Sequence, residues 1–248
     1  MFIIGNWKMN PLSLFEAKDS VKEAARAARR ARGVKVVIAP PSVFLPALAA
    51  KKSGLFFAAQ DVSSLISGSH TGEVGAKMFR SAGASFAIVG HSERRAAGDS
   101  DEIVAEKFIR ALEAKLVPVL CVGEKKRDQE GNYFGEIARE LSIVLKAATK
   151  ICVPKFIVAY EPVWAVGGSY DKALSPEEMS AMAIFIKKTC AQFLPKEKAM
   201  RIPVLYGGSV DAANAKTMLS NGGINGLLIG RQSLDPRRFA EIIKLANA

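Results

Sequence analysis

Short apolar runs alternate with longer amphipathic segments along the whole chain. The runs Phe2–Asn6, Val34–Ala39, Leu55–Gln60, Phe86–Gly90, Val117–Val122, Phe156–Glu161, Ile202–Tyr206 and Gly226–Gly230 are β-branched or continuously apolar. That is the pattern of parallel strands covered on both faces. Between them the spacing predicts helices over Leu12–Arg32, Val43–Lys52, Ala76–Ala82, Asp101–Lys115, Phe134–Thr149, Pro176–Phe193, Ala212–Ser220 and Pro236–Ala246. Pro176 ahead of Glu177-Glu178, and Asp235 ahead of Pro236, are helix-start signals. Strand and helix follow one another with no linker-like stretch. The expected fold is therefore of the α/β class, a closed (β/α)8 barrel occupying 1–248 as a single catalytic domain. A doubly wound open sheet is the second possibility, but its glycine fingerprint after the first strand is absent.

Composition narrows the function classes. At 49% hydrophobic and 24% charged residues the chain is an ordinary globular one. The net charge of +11 raises the question of a nucleic-acid partner. Its densest cluster, Arg26, Arg29, Arg30 and Arg32, shares a helical segment with Asp19, Lys22 and Glu23, and no aromatic-rich basic motif accompanies it. A solvated helix face explains it better, and no nucleic-acid partner is expected. The positive field would still help to collect an anionic substrate. Three widely spaced cysteines (Cys121, Cys152, Cys190) and two histidines give no CxxC pair and no expected disulfide framework or metal site. Reduced cysteines, a first strand beginning directly after Met1, and no apolar run near ~20 residues lead to the expectation of a cytoplasmic protein with no membrane partner.

Candidate chemistry falls at the strand ends. Ala159-Tyr160-Glu161-Pro162-Val163-Trp164-Ala165-Val166-Gly167 ends an apolar strand on a carboxylate, where a base is useful and a structural charge costly. Asn6 and Lys8 follow the first strand, and His91, Ser92 and Glu93 follow the fourth. In a barrel these distant residues share one mouth. Lys, His and Glu together suit proton transfer beside a carbonyl: Glu161 as base, His91 as donor and proton relay, Lys8 as the positive charge. Asn6 is either a turn residue or one that orients its neighbours or the substrate. Ser92 and Glu93 open a short helix whose positive end faces His91 and keeps it neutral, and Glu93 takes a supporting role, with an ion pair to Lys8 or an arginine as its other reading. Gly207-Gly208-Ser209 and Gly230, after the last two strands, can offer backbone N–H groups to a phosphate.

Asn6-Trp7-Lys8-Met9-Asn10, Gly90-His91-Ser92-Glu93-Arg94-Arg95, Ala159 to Gly167, and Tyr206-Gly207-Gly208-Ser209-Val210 resemble the four signature segments of the triosephosphate isomerases. Cys121-Val122-Gly123-Glu124, and Gln60-Asp61 through Thr71-Gly72-Glu73, resemble the family too, so the likeness runs from first strand to last helix. It implies interconversion of dihydroxyacetone phosphate and glyceraldehyde 3-phosphate through an enediolate, with no cofactor, in which a Glu base and a neutral His are an established pair. It also implies a lid beginning at Gly167-Gly168, whose Gly167 N–H would bind phosphate, and a homodimer in which loop 61–73 reaches a neighbouring subunit beside Lys8 with Thr71 at its tip. Two departures stand out. Gly167-Gly168-Ser169-Tyr170-Asp171-Lys172 replaces the usual Gly-Thr-Gly lid tip and is two residues longer to Pro176. Gly230-Arg231 replaces two consecutive glycines, leaving Arg231 to offer its N–H to the phosphate with its side chain turned to solvent. These departures admit a related barrel isomerase of another phosphorylated sugar. A non-catalytic basic barrel used for binding fits poorly with Asn6, Lys8, His91 and Glu161 all present.

Overall fold

The computed structural model describes residues 1–50, 53–149, 155–165 and 174–247. Eight parallel strands close into a barrel in chain order: β1 Phe2–Asn6, β2 Lys35–Ala39, β3 Phe56–Ala59, β4 Phe86–Val89, β5 Val117–Val122, β6 Ile157–Tyr160, β7 Val204–Tyr206 and β8 Gly226–Ile229. β1 closes the ring by pairing Ile4 with both Val37 of β2 and Leu228 of β8. The helices are α1 Leu14–Ala28, α2 Leu45–Ala49, α3 Ala76–Ser81, α4 Ser92–Ala96, α5 Asp101–Glu113, α6 Asn132–Ala148, α7 Pro176–Cys190, α8 Lys196–Met200, α9 Ala212–Asn221 and α10 Pro236–Leu245. None is long and apolar enough to cross a membrane.

Each strand matches its apolar run to within two residues, whereas the helix ends differ more. α1 begins only at Leu14, because the Ser13 hydroxyl caps it by accepting from Glu16 N–H, and it stops at Ala28 short of Arg32. α8 is absent from the periodicity; five residues behind Pro195 are too short to show a repeat. On α1, Lys22 pairs with Asp19 and Arg26 with Glu23 at the surface, as expected of a solvated face.

Two apolar layers result from the strand alternation. Ile4, Val37, Ala58, Ile88, Val119, Ala159, Leu205 and Leu228 fill the barrel interior. Ile3, Val36, Leu120, Val158 and Ile229 point outward against Phe108, Ile137, Ile186 and Phe239 of the surrounding helices. The interior alternation positions the site. One step of two beyond Ile4, Ala159 and Leu228 lie Asn6, Glu161 and Gly230, so a polar set emerges where the packed core ends.

Candidate active site

Asn6, Lys8, His91, Glu161, Gly207, Ser209, Gly230 and Arg231 line one cavity of about 260 Å³ at the C-terminal ends of the strands. The sequence scatters these residues over the whole chain; the barrel brings them together. Gly167 lies outside the described residues.

Glu161 continues β6, its N–H donating to Val122 O at 2.8 Å, and its side chain is buried. One carboxylate oxygen accepts from Ser92 N–H at 3.4 Å, and the other lies 3.5 Å from His91 Nε2. Beneath it the Cys121 thiol is pushed well up, first by burial and then by the Glu161 charge, and so stays an uncharged floor. The walls are backbone. A Cβ on Gly123 would sit 1.9 Å from Glu161 O, and one on Gly207 would sit 2.7 Å from Glu161 Cγ. Gly207→Ala therefore has to move the carboxylate. A displacement of ~1 Å at a reacting group can cost about 100-fold, so kcat should fall on that order with the barrel still folded, as circular dichroism and steady-state kinetics will check.

His91 caps α4, and its Nδ1 accepts from Glu93 N–H at 3.2 Å. A ring nitrogen that accepts a backbone N–H carries no proton, so this contact favours the tautomer with its proton on Nε2, facing the cavity. The helix N-terminus thus selects the tautomer, as the placement of Ser92 and Glu93 in the sequence suggests.

Lys8 has a left-handed backbone, φ 52°, unusual for a long side chain. Two side-chain amides hold it there. Asn6 Oδ1 accepts from Lys8 N–H at 3.1 Å, and Gln60 Nε2 donates to Lys8 O at 2.7 Å and to Ala39 O at 2.8 Å. Asn6 is thus a turn residue, and it also lines the cavity. The Lys8 ammonium lies 2.5 Å from Glu93 Oε1. Glu93 is thus the ion-pair partner of Lys8, the second of its two sequence readings, and its N–H is the one that meets His91 Nδ1.

Sequence reasoning assigned no role to Gln60, Glu124, Glu140 or Arg95. Glu124, fully buried, accepts from Tyr160 Oη and Trp164 Nε1, each at 2.9 Å, and so anchors the chain on both sides of Glu161. Glu140 accepts from Gly123 N–H at 3.0 Å and lies 3.5 Å from Arg95; burial pushes its carboxyl up to about 7 against that favourable charge. On the two sides of segment 166–173, Ser209 Oγ donates to Ala165 O at 2.8 Å and Tyr206 Oη accepts from Leu174 N–H at 3.3 Å. The rewritten lid tip itself lies outside the described residues. Arg231 opens a short 3-10 turn, Arg231–Ser233, with its residue exposed to solvent.

A family model described as triosephosphate isomerase matches residues 1–246. Curated relatives named triosephosphate isomerase include one from Alkalilimnicola ehrlichii, 40% identical over 250 residues that cover 99% of this chain and 98% of the relative. Another, from Halorhodospira halophila, is 40% identical over 248 residues, covering 98% and 97%. The crystal structure of triosephosphate isomerase from Bartonella henselae superposes with a TM-score of 0.84 at 30% identity, covering 100% of this chain and 99% of the other. With a closed eight-stranded barrel and its polar set at the expected strand ends, the chain belongs to the triosephosphate isomerase family.

Proposed function

We propose that the protein interconverts dihydroxyacetone phosphate and D-glyceraldehyde 3-phosphate, with Glu161 as the base, His91 as the neutral acid and proton shuttle, and Lys8 as the electrostatic stabiliser. The observation that carries this reading is the placement of His91, its Nδ1 accepting from Glu93 N–H and its Nε2 3.5 Å from the buried Glu161 carboxylate, in a cavity shared with Lys8. Glu161 takes the proton from the carbon beside the carbonyl. The negative charge then develops on substrate oxygens, toward His91 Nε2–H and the Lys8 ammonium, donors already fixed by α4, Gln60 and Asn6. His91 passes a proton between the two oxygens, and Glu161 returns its proton to the neighbouring carbon. A coupled assay on glyceraldehyde 3-phosphate tests the reading, with an aldose phosphate of five or six carbons as the competing substrate. Turnover of the larger sugar alone would reassign the site.

The phosphate is held by backbone N–H groups of Ser209, Gly230, Arg231 and Gly167, because glycine-bearing turns at strand ends already present several donors. Arg231→Gly should then leave inhibition by inorganic phosphate unchanged and KM nearly so. A guanidinium clamp, worth about 1.5–3 kcal/mol, would instead weaken phosphate tenfold to a hundredfold in that variant.

The working unit is a homodimer through loop 61–73. Leu65 and Ile66 are 42% and 61% exposed on that loop, and Met9 next to Lys8 is 85% exposed. A second cavity of about 350 Å³, walled by Gln60, Glu93 and Arg94, adjoins the site along Asn6 and Lys8 and could receive a neighbour's loop tip. Light scattering at micromolar protein should give twice the chain mass; a fully active monomer would rule the dimer out. The buried free thiols Cys121 and Cys190 accord with a cytoplasmic location.

A further inference from the structure

The opposite mouth of the barrel carries its own cavity, and its chemistry differs from that of the first. About 460 Å³ opens at the N-terminal ends of the strands, within the size of small-ligand sites. Its floor is the lowest layer of the barrel interior, where half-buried Phe2 and Val117 present ring and branched-chain surface above the buried Phe86 and Ile157. Phe2 and Phe56 both meet Phe86 edge-on, at 6.3 Å and 5.9 Å between centroids, so the aromatic floor is fixed in place. This end of a barrel ordinarily contributes stability alone, and an apolar floor left open there is unexpected.

The rim is of one sign. Lys35, Lys155, Lys198 and Arg201 line the cavity, all solvent-exposed, and no Asp or Glu lines it among the described residues. None of the four has a carboxylate within salt-bridge distance among the described residues, whereas Lys22, Arg26 and Arg110 elsewhere on the surface do. Lys35, on the inward-facing alternation of β2, sets its ammonium 5.6 Å from the centre of the Phe2 ring. Lys198 and Arg201 come from α8 and the turn behind it.

We propose that this cavity is a second binding site, for a small aromatic anion: a flat ring seated against Phe2 and Val117, with its carboxylate, sulfonate or phosphate group held by Lys198, Arg201 and their neighbours. The apolar floor excludes a bare inorganic anion as the preferred ligand, and the four cations, without a carboxylate partner among the described residues, exclude a neutral hydrocarbon. Neither feature belongs to the isomerase site, which lies at the other end of the packed interior.

The full-length protein can be titrated with 1-anilinonaphthalene-8-sulfonate, following its fluorescence, and with N-phenyl-1-naphthylamine, which has the same rings and no sulfonate. The anionic dye should bind one per chain and at least about tenfold more tightly than the neutral one. Charge reversal at two exposed positions, Lys198→Glu with Arg201→Glu, should weaken it about tenfold or more by putting like charge against the sulfonate, and should leave turnover of triose phosphate unchanged. Inorganic phosphate at constant ionic strength should not displace it. Equal affinity for the two dyes, unchanged affinity in the doubly substituted protein, or displacement by phosphate would each overturn the site. The comparison of dyes needs no variant and decides the matter even if the substitutions disturb α8.

Discussion

Glu161→Asp should lower kcat about 100-fold while changing KM only a few fold, because a base withdrawn by one methylene, ~1 Å, is misplaced for the carbon it must reach. The carboxylate is retained, so the variant separates position from charge. Its surroundings give it little freedom to compensate. Gly207 brings backbone against the Glu161 side chain, Gly123 packs against its carbonyl, and Ser92 N–H and His91 lie against the carboxylate oxygens. A shorter side chain cannot follow the substrate out from these walls. Purified Glu161→Asp with triose phosphate turnover within a factor of a few of the parent would remove Glu161 from the role of base.

Lys8→Met should cost about 100- to 1000-fold in kcat, the range found when one preorganised donor to a developing oxyanion is removed. Methionine keeps the length and the apolar stem, so packing changes little. The left-handed backbone at φ 52° remains, held by Gln60 and Asn6 as before. What disappears is the ammonium, together with its 2.5 Å contact to Glu93. That ion pair is partly exposed, at 32% and 58% for the two side chains, so thermal stability should move very little. A large fall in kcat at nearly constant melting temperature is the expected signature. An equal loss of stability and activity, measured by thermal denaturation beside steady-state kinetics, would mark Lys8 as a structural residue.

The barrel was legible because short apolar runs, continuous enough for strands covered on both faces, alternate eight times with amphipathic segments. The same regularity made Asn6, Glu161 and Gly230 visible, since each ends one of these apolar runs. His91 was legible through its place ahead of a short helix, and its Nδ1 contact with Glu93 N–H follows from that placement. Other features depend on contacts between distant positions and leave no local trace. Gln60 reaches Lys8 across 52 residues, and Glu124 reaches Trp164 across 40. A glutamine or glutamate at a strand end shows nothing of which backbone it will meet. α8 escaped notice for the opposite reason, since five residues cannot display a helical period. The lid tip and Gly167 remain readable in sequence alone.

The proton abstraction at Glu161 can be followed atom by atom. Dihydroxyacetone phosphate turned over by the parent protein in D2O, with the aldehyde product trapped as it forms, should yield glyceraldehyde 3-phosphate carrying deuterium at C2. The hydrogen removed from carbon resides on the Glu161 carboxyl and exchanges with solvent before it is returned. Recovered substrate should carry deuterium at C1 for the same reason, and both signals should fall with kcat in Glu161→Asp. Full-rate turnover with no solvent deuterium at C2 of the product or C1 of the recovered substrate, in the parent and equally in Glu161→Asp, would contradict proton abstraction by Glu161.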